Sequence, residues 1–474
     1  MNDTVQAPQQ TAQLATPDMN TPTTPETPIS RRAALLAPLS NRDFRLLWAG
    51  ESISILGDQF YFVALPWLTL QLTGSGLALG TVLMIGGIPR AILMLVGGAL
   101  SDRFDPRNIM IFSNLIRGGL VAVLTLLIVL GRTELWHLYV ISLLFGAADA
   151  FFYPAYNALL PKIVGRDHLE SSNALLQLTA HLGVLVGPAL AGLVIARGAS
   201  ADALAQGDSS GNAFAFGLDT LTFFFSTAML ALIRTKNRQE RAAQGDDTAD
   251  TASSGVRGLL ISIREAIAYV LTDPPLRAIL ILIAVVDFAV VGPLNVGIAT
   301  LADMRFPVPS APLIAPITLL WVDARVLGGA AALGVMLSGF GAGALLGTIL
   351  GGLARVKRPG FLILGIAFGI AIALPLIGIA PFVLFAAVFM AMIGVGSGLF
   401  NVIGVTWLQR RSKPEMIGRV MSLVMLASVG GQPLSNALAG VLADANLTLM
   451  FVVAGTIILV ATVREALVGD VQRM

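Results

Sequence analysis

The chain has no cysteine in 474 residues, which removes disulfides, thiolate metal sites and a cysteine nucleophile at once. Histidine is almost as scarce. The three present, His137, His168 and His181, stand at no metal-ligand spacing, so neither a metal nor a cofactor is expected. Charged residues make up only 12% of the chain, against 55% hydrophobic residues and a mean hydropathy of +0.81. That balance cannot clothe a water-facing surface, and it indicates a polytopic membrane protein. No G-x-x-x-x-G-K-[ST] phosphate loop occurs, and no polar stretch is long enough to fold around a nucleotide. ATP-driven pumping, enzymatic chemistry and a nucleotide or nucleic-acid partner are therefore not expected.

What the chain does have is apolar runs. Twelve of them approach the roughly 20 residues that span a bilayer core as a helix, from Leu46–Leu70 and Leu77–Leu100 to Gly418–Leu442 and Leu447–Val463. Residues 1–40, rich in Thr, Pro and Gln, lack the apolar core of a signal peptide and predict a disordered cytoplasmic tail. The most polar internal stretch separates six runs from six, so the expected units are a bundle at 41–235, a cytoplasmic linker at 236–257 and a second bundle at 258–474. An amphipathic segment, Leu259–Val270, is expected along the inner surface. Ala311–Val322 is too short and Pro-interrupted to span, and is expected as an outer loop or re-entrant piece.

Charge sets the topology. With the N-terminus inside, only Arg132, Arg197, Arg305 and Arg325 of the 30 Lys and Arg fall outside, with Arg90 mid-helix. Every other basic residue is assigned to a tail, an inner loop or an inner helix end. Both termini are thus expected in the cytoplasm, in a multi-pass protein of the plasma (inner) membrane.

Two motifs and an internal likeness narrow the class. After the second run stands GGALSDRFDPR, with Gly98, Asp102, Arg103 and Arg107 at G-x-x-x-D-R spacing and at its last basic place. The fifth run carries Gly183, Gly187, Pro188 and Gly192 as G-x-x-x-G-P-x-x-A-G. Small residues four apart let helices approach closely, and Pro188 kinks the run. Gly187-Pro188 and Gly192 find an echo at Gly431 to Gly440, as transporter repeats would produce.

On these residues, and on FRLLW…GD…ALPWL from Phe44 to Leu68, the chain resembles the major facilitator superfamily from Asn41 to Val468, in its drug and siderophore exporter branch, macrolide-efflux-like. Asp105 and Pro106 depart from the usual loop signature. The resemblance implies an all-α membrane protein with about twelve transmembrane helices in two pseudo-symmetric six-helix bundles. It implies an inner-gate loop in which Asp102 sits against the start of the eleventh helix near Gly418, and an antiporter-like motif in the fifth helix. It also implies that the first, fourth, seventh and tenth helices line a central cavity.

Ionisable residues inside apolar runs are costly and mark pathways or pairs. At about 1.5 Å per residue, Asp58, Arg90, Asp149 and Asp287 reach mid-depth, Asp219 lies nearer the outer face, and Glu51 sits two turns from Asp58 on the same helix face. Asp58, modulated by Arg90 through an ion pair, leads the proton-coupling candidates, followed by Asp287, Asp149 and Glu51. A static pair locking two helices is the alternative. Asp219, Tyr153 and Asn401 are the substrate-cavity candidates. The expected function is a secondary active transporter, a multidrug efflux antiporter whose partners are small amphipathic molecules, protons and the bilayer. An uptake permease, a lipid carrier or a non-transporting receptor of the same fold is the alternative.

Overall fold

The computed structural model describes residues 36–165, 168–197, 210–234, 256–306, 329–354, 356–469 and 471. The expected tail up to residue 35, most of the linker and the Ala311–Val322 segment lie outside the described residues.

Helices begin where a polar side chain can take up the N–H groups that a first turn leaves free. Asn41 accepts from the amides of Asp43 and Phe44 at 2.9 and 3.3 Å, and Ser75 accepts from Ala78 at 3.2 Å. Asp105 accepts from Arg107 at 3.1 Å, with Pro106 as the first helical residue, and Asp273 accepts from Leu276 ahead of the seventh span. Between the first two spans Gly74, at φ 61°, supplies the left-handed residue that ends the first helix.

The spans of the first half are Arg42–Thr73, Gly76–Arg103, Pro106–Val129, Leu135–Val164, Leu169–Arg197 and Ser210–Leu232. A connecting helix, Val256–Thr272, follows. The second half has Pro274–Arg305, Ala330–Leu353, Pro359–Gly378, Val383–Arg411 and a final stretch, Pro414–Val468, of 55 residues. At 1.5 Å per residue that stretch would run about 80 Å, far more than one hydrocarbon core of about 30 Å. Its backbone leaves the helical region at Asn446 (φ −166°, ψ 107°), which divides it into an eleventh and a twelfth span. The described residues thus cross twelve times, as expected.

Four of the spans are interrupted, the eleventh at Gly431, between Ile417–Gly430 and the helix that starts at Gln432. The fourth breaks between Leu135–Asp149 and Phe152–Val164. The seventh and tenth each contain one π turn, Pro293–Gly297 and Phe400–Gly404, the wider winding that often accompanies functional sites.

Packing separates two bundles. In one, the first span packs on the fifth and sixth, the third on the fourth and sixth, and the second on the fourth; in the other, the eighth packs on the tenth, the ninth on the tenth and on the last stretch, and the seventh on the last stretch. The halves meet along two seams, fifth against eighth and second against eleventh. Exchanging the halves turns each seam into the other, which is the expected pseudo-twofold.

The antiporter-like motif builds one seam. Gly183 lies against Ile55 and Gly187 against Gln59 of the first span, while Gly192 lies against Ala330 and Ala331 of the eighth; a Cβ at any of them would collide. Pro188 has no N–H, so the Val184 carbonyl one turn earlier is left without its helical donor. Gly341 packs on that carbonyl and Gly334 on the carbonyl of Pro188. Across the same seam the Ala189 N–H donates to Ser338 Oγ at 3.0 Å. On the other seam Gly76 meets Gly440, Gly80 meets the Asn436 carbonyl, and Gly87 meets Pro433. All these approaches fall in the half of the molecule away from the face bearing Arg42, here called the far face. At the opposite, tail face, a Cβ at Gly98 or Gly418 would meet open space.

Candidate functional site

Between the halves lies a cavity of about 530 Å³. Among the described residues its charged lining is Glu51, Asp58, Arg90, Arg117 and Asp149, all from the first four spans. The second half contributes only neutral polar groups, the amides of Asn295, Gln432 and Asn436.

The charges are assembled by helix packing. The second and fourth spans run parallel, and Gly146 sits directly on the Gly86 carbonyl with no room for a Cβ. That contact sets their register, so Arg90, one turn past Gly86, meets Asp149, just past Gly146. Arg90 Nε forms an ion pair with Asp149 Oδ2 at 3.1 Å, and Arg117 Nη1 donates to Asp149 Oδ1 at 2.8 Å. One carboxylate therefore holds two guanidinium groups. The two are unlike: the Arg117 side chain is 4% exposed and that of Arg90 41%. Arg117 also donates to Asn114 Oδ1, whose amide donates to Ser226 Oγ of the sixth span at 3.0 Å. Its guanidinium lies 4.4 Å from the ring centre of Phe152 and 4.8 Å from that of Phe223, a cation–π arrangement that suits Arg better than Lys.

Two expectations are corrected here. Arg90 pairs with Asp149 and not with Asp58, because the second span takes its register from the fourth. Arg117 is not an inner helix-end residue: it lies about 16 Å along the third helix from Pro106 and is buried in the bundle.

The other candidates divide. Glu51 is 6% exposed, lines the cavity, and its Oε1 has no hydrogen-bond partner among the described residues. Asp58 and Tyr153 also line it, with Tyr153 edge-on to Tyr156 at 6.5 Å. Asp219 does not line the cavity. It is fully buried behind the first span, beside Gly57, with Thr222 on one oxygen and no partner for the other among the described residues. Asp287 neighbours Ser428 of the eleventh span and is not part of the cavity wall. On the same span it is Asn295, within the π turn, that lines the cavity. Asn401, exposed, donates back to the Ser397 carbonyl at 3.1 Å across the π turn and lies outside the cavity lining.

At the tail face, Arg107 of the loop signature donates to the carbonyls of Leu230 and Ala231, where the sixth helix ends and its dipole favours a cation. The Asp102 side chain lies outside the described residues. Sequence reasoning missed Arg117, and the signal that would have found it is Arg117 itself: an arginine well inside an apolar run needs a buried anion.

A family model described as "Transmembrane secretion effector" matches residues 33–289, more than half of the chain. Macrolide efflux protein A of Streptococcus pyogenes is 22% identical over 437 residues, 91% of this chain and 97% of that protein. The enterobactin exporter EntS of Citrobacter koseri is 24% identical over 399 residues, 84% of each. Among solved structures, the nucleoside transporter NupG (D323A mutant) superposes with a TM-score of 0.65 at 12% identity, covering 89% of this chain and 99% of that one. That last likeness concerns the fold alone.

Proposed function

The chain belongs to the transmembrane secretion effector family of the major facilitator superfamily, and from that premise we propose a secondary exporter that exchanges small amphipathic molecules for protons by alternating access. One observation carries the reading: Glu51 is a buried carboxylate in the wall of a cavity between two bundles, with an oxygen that no described group meets. An ionised carboxylate out of water without a partner is strongly disfavoured, so such a group holds either a proton or a cation. Asp58, two turns along the same helix, makes no ion pair among the described residues and is the second exchangeable acid. Asp149 plays a different part, since two guanidinium groups already satisfy it.

Exchange requires that the acids meet one side at a time. The far halves of both seams are packed glycine against backbone, while Tyr153 in the cavity wall is 54% exposed. The distribution of Lys and Arg supports a cytoplasmic tail face and cytoplasmic termini in the plasma membrane. In this state the acids would release protons to the cytoplasm and take up substrate there. Aromatic wall residues, including Phe62, Tyr153 and Tyr156, offer apolar contact to an amphipathic molecule. The names of the efflux and exporter relatives favour the outward direction.

The test is purified protein in liposomes under an imposed pH gradient, with a lipophilic dye and a macrolide as probes. Proton-driven flux in the parent and its loss in Glu51→Gln and Asp58→Asn, both fully inserted, are expected. Flux unchanged by either substitution would remove these acids from the mechanism.

A further inference from the structure

At the far face the second and eleventh spans are joined by one carboxylate. Asp444 Oδ2 accepts from the Ser75 hydroxyl at 2.6 Å and the Leu77 amide at 3.1 Å, and its Oδ1 accepts from the Gly76 amide. Ser75 is itself the N-cap of the second span. The amides of Gly76 and Leu77 belong to a first turn, so no carbonyl of their own helix can take them. An acid in the last turn of one half thus satisfies the first turn of a helix in the other, through charge-assisted bonds placed at the positive end of the helix dipole.

Among the described residues the other seam shows no such carboxylate. The eighth span starts at Gly329, which makes no side-chain cap, and meets the fifth through Gly192 and Ala330 and through the Ala189 N–H on Ser338 Oγ. Equivalent by pseudo-symmetry, the two seams differ in chemistry over their described residues: one ends in charge-assisted bonds, the other in packed backbone and one neutral bond.

We propose that Asp444 is a latch that holds the far face shut in the state described here. It stands at the end of the eleventh span and closes on the start of the second; Asp102, in the loop signature, stands at the tail-face end of the second span, toward which the eleventh begins. The same two helices thus carry an acid at opposite ends, and Gly418, at the start of the eleventh, faces open space while the Asp444 end is bonded. Opening the far face must uncap the second span.

The absence of cysteine makes the test direct. A single reporter, Leu83→Cys in the cavity wall, is labelled in membranes of either orientation with an impermeant maleimide, and total reporter is measured after denaturation. Asp444→Asn and Asp444→Ala should raise far-face labelling about tenfold and lower tail-face labelling, as expected when charge-assisted bonds are lost from one of two states. Far-face labelling unchanged in both variants, with normal total, would overturn the latch. Should they fail to insert, Ser75→Ala, which removes one bond to Asp444, decides alone: a smaller rise supports the latch and no rise overturns it. A second measurement uses Gly76→Cys with Ala443→Cys, since a Cβ at Gly76 lies 3.0 Å from that of Ala443. The pair should cross-link readily, and more slowly in the Asp444→Asn background; equal rates would count against the latch. Labelling reads conformation whether or not substrate moves, so a protein without flux would sink the export proposal and leave the latch standing.

Discussion

The two halves share one architecture and divide the chemistry unequally. The first half places five charged side chains on the cavity wall; the second faces them with three amides. The first half also ties its charges into a network of Arg90, Asp149, Arg117, Asn114 and Ser226 that crosses four spans. In the second half the corresponding contact is uncharged and joins only two spans: the Ser435 hydroxyl of the eleventh lies between the Phe288 carbonyl and the Gly292 amide of the seventh. Its central helices yield instead, with a π turn in both the seventh and the tenth. The difference suggests a division of labour. A half that carries a buried ionic network must move as a rigid piece, because separating its partners would strand a charge in low dielectric. A half lined by amides can slide past it at little electrostatic cost.

That comparison can be broken most sharply at Arg117. Arg117→Ala leaves the Asn114 oxygen and one side of Asp149 without a partner in the bundle, and about 3–5 kcal/mol of stability should go with it. A thermal shift of the detergent-solubilised protein checks this, and a wild-type midpoint would show that the network is not structural. Arg117→Lys keeps the charge but loses the planar contact with Phe152 and Phe223, and should recover only part of the loss.

Next in size is the seam between the halves. Gly341→Leu drives a side chain into the Val184 carbonyl, and overpacking of this kind costs about 1–3 kcal/mol. Because the strain exists only when the far face is shut, far-face labelling of a cavity cysteine should rise; equal labelling would mean that the seam adapts. Glu51→Gln should leave the thermal midpoint within about 1 kcal/mol of the parent, since no partner is lost, while proton-driven flux disappears. A large fall in stability would instead make Glu51 a packing residue. The smallest effect is expected across the cavity. Asn295→Ala removes one neutral bond to Asn436 at 3.2 Å, worth about 1 kcal/mol, and flux should change by no more than about fivefold. A loss as large as that of Glu51→Gln would abolish the distinction between the halves.

Much of this molecule is legible before folding is considered. The spans, their number and the depth of the acids follow from hydropathy and from the rise of a helix, and Glu51 and Asp58 share the cavity wall as their spacing of two turns requires. The fifth-span glycines and Pro188 announce a close approach, and each meets a neighbour. Rotation accounts for most of the failures. Arg90 was matched to Asp58 by depth, yet meets Asp149; Asp287 at mid-depth and Asp219 nearer the outer face both stand away from the cavity wall; Arg117 was counted with the topogenic arginines although it stands mid-helix, with its partner one helix away.

Composition and periodicity by themselves determined the solvent, the crossings and the height of the acids, because burial in lipid is decided helix by helix and each helix satisfies its own backbone. Which charges touch was decided only by the tertiary structure. A helix rotates and slides as a unit, and nothing in its own period sets that rotation against a neighbour. Here contacts such as Gly146 on Gly86 and Gly334 on Pro188 set it, and they place one carboxylate between two arginines while leaving another, Glu51, with no partner for its Oε1 among the described residues.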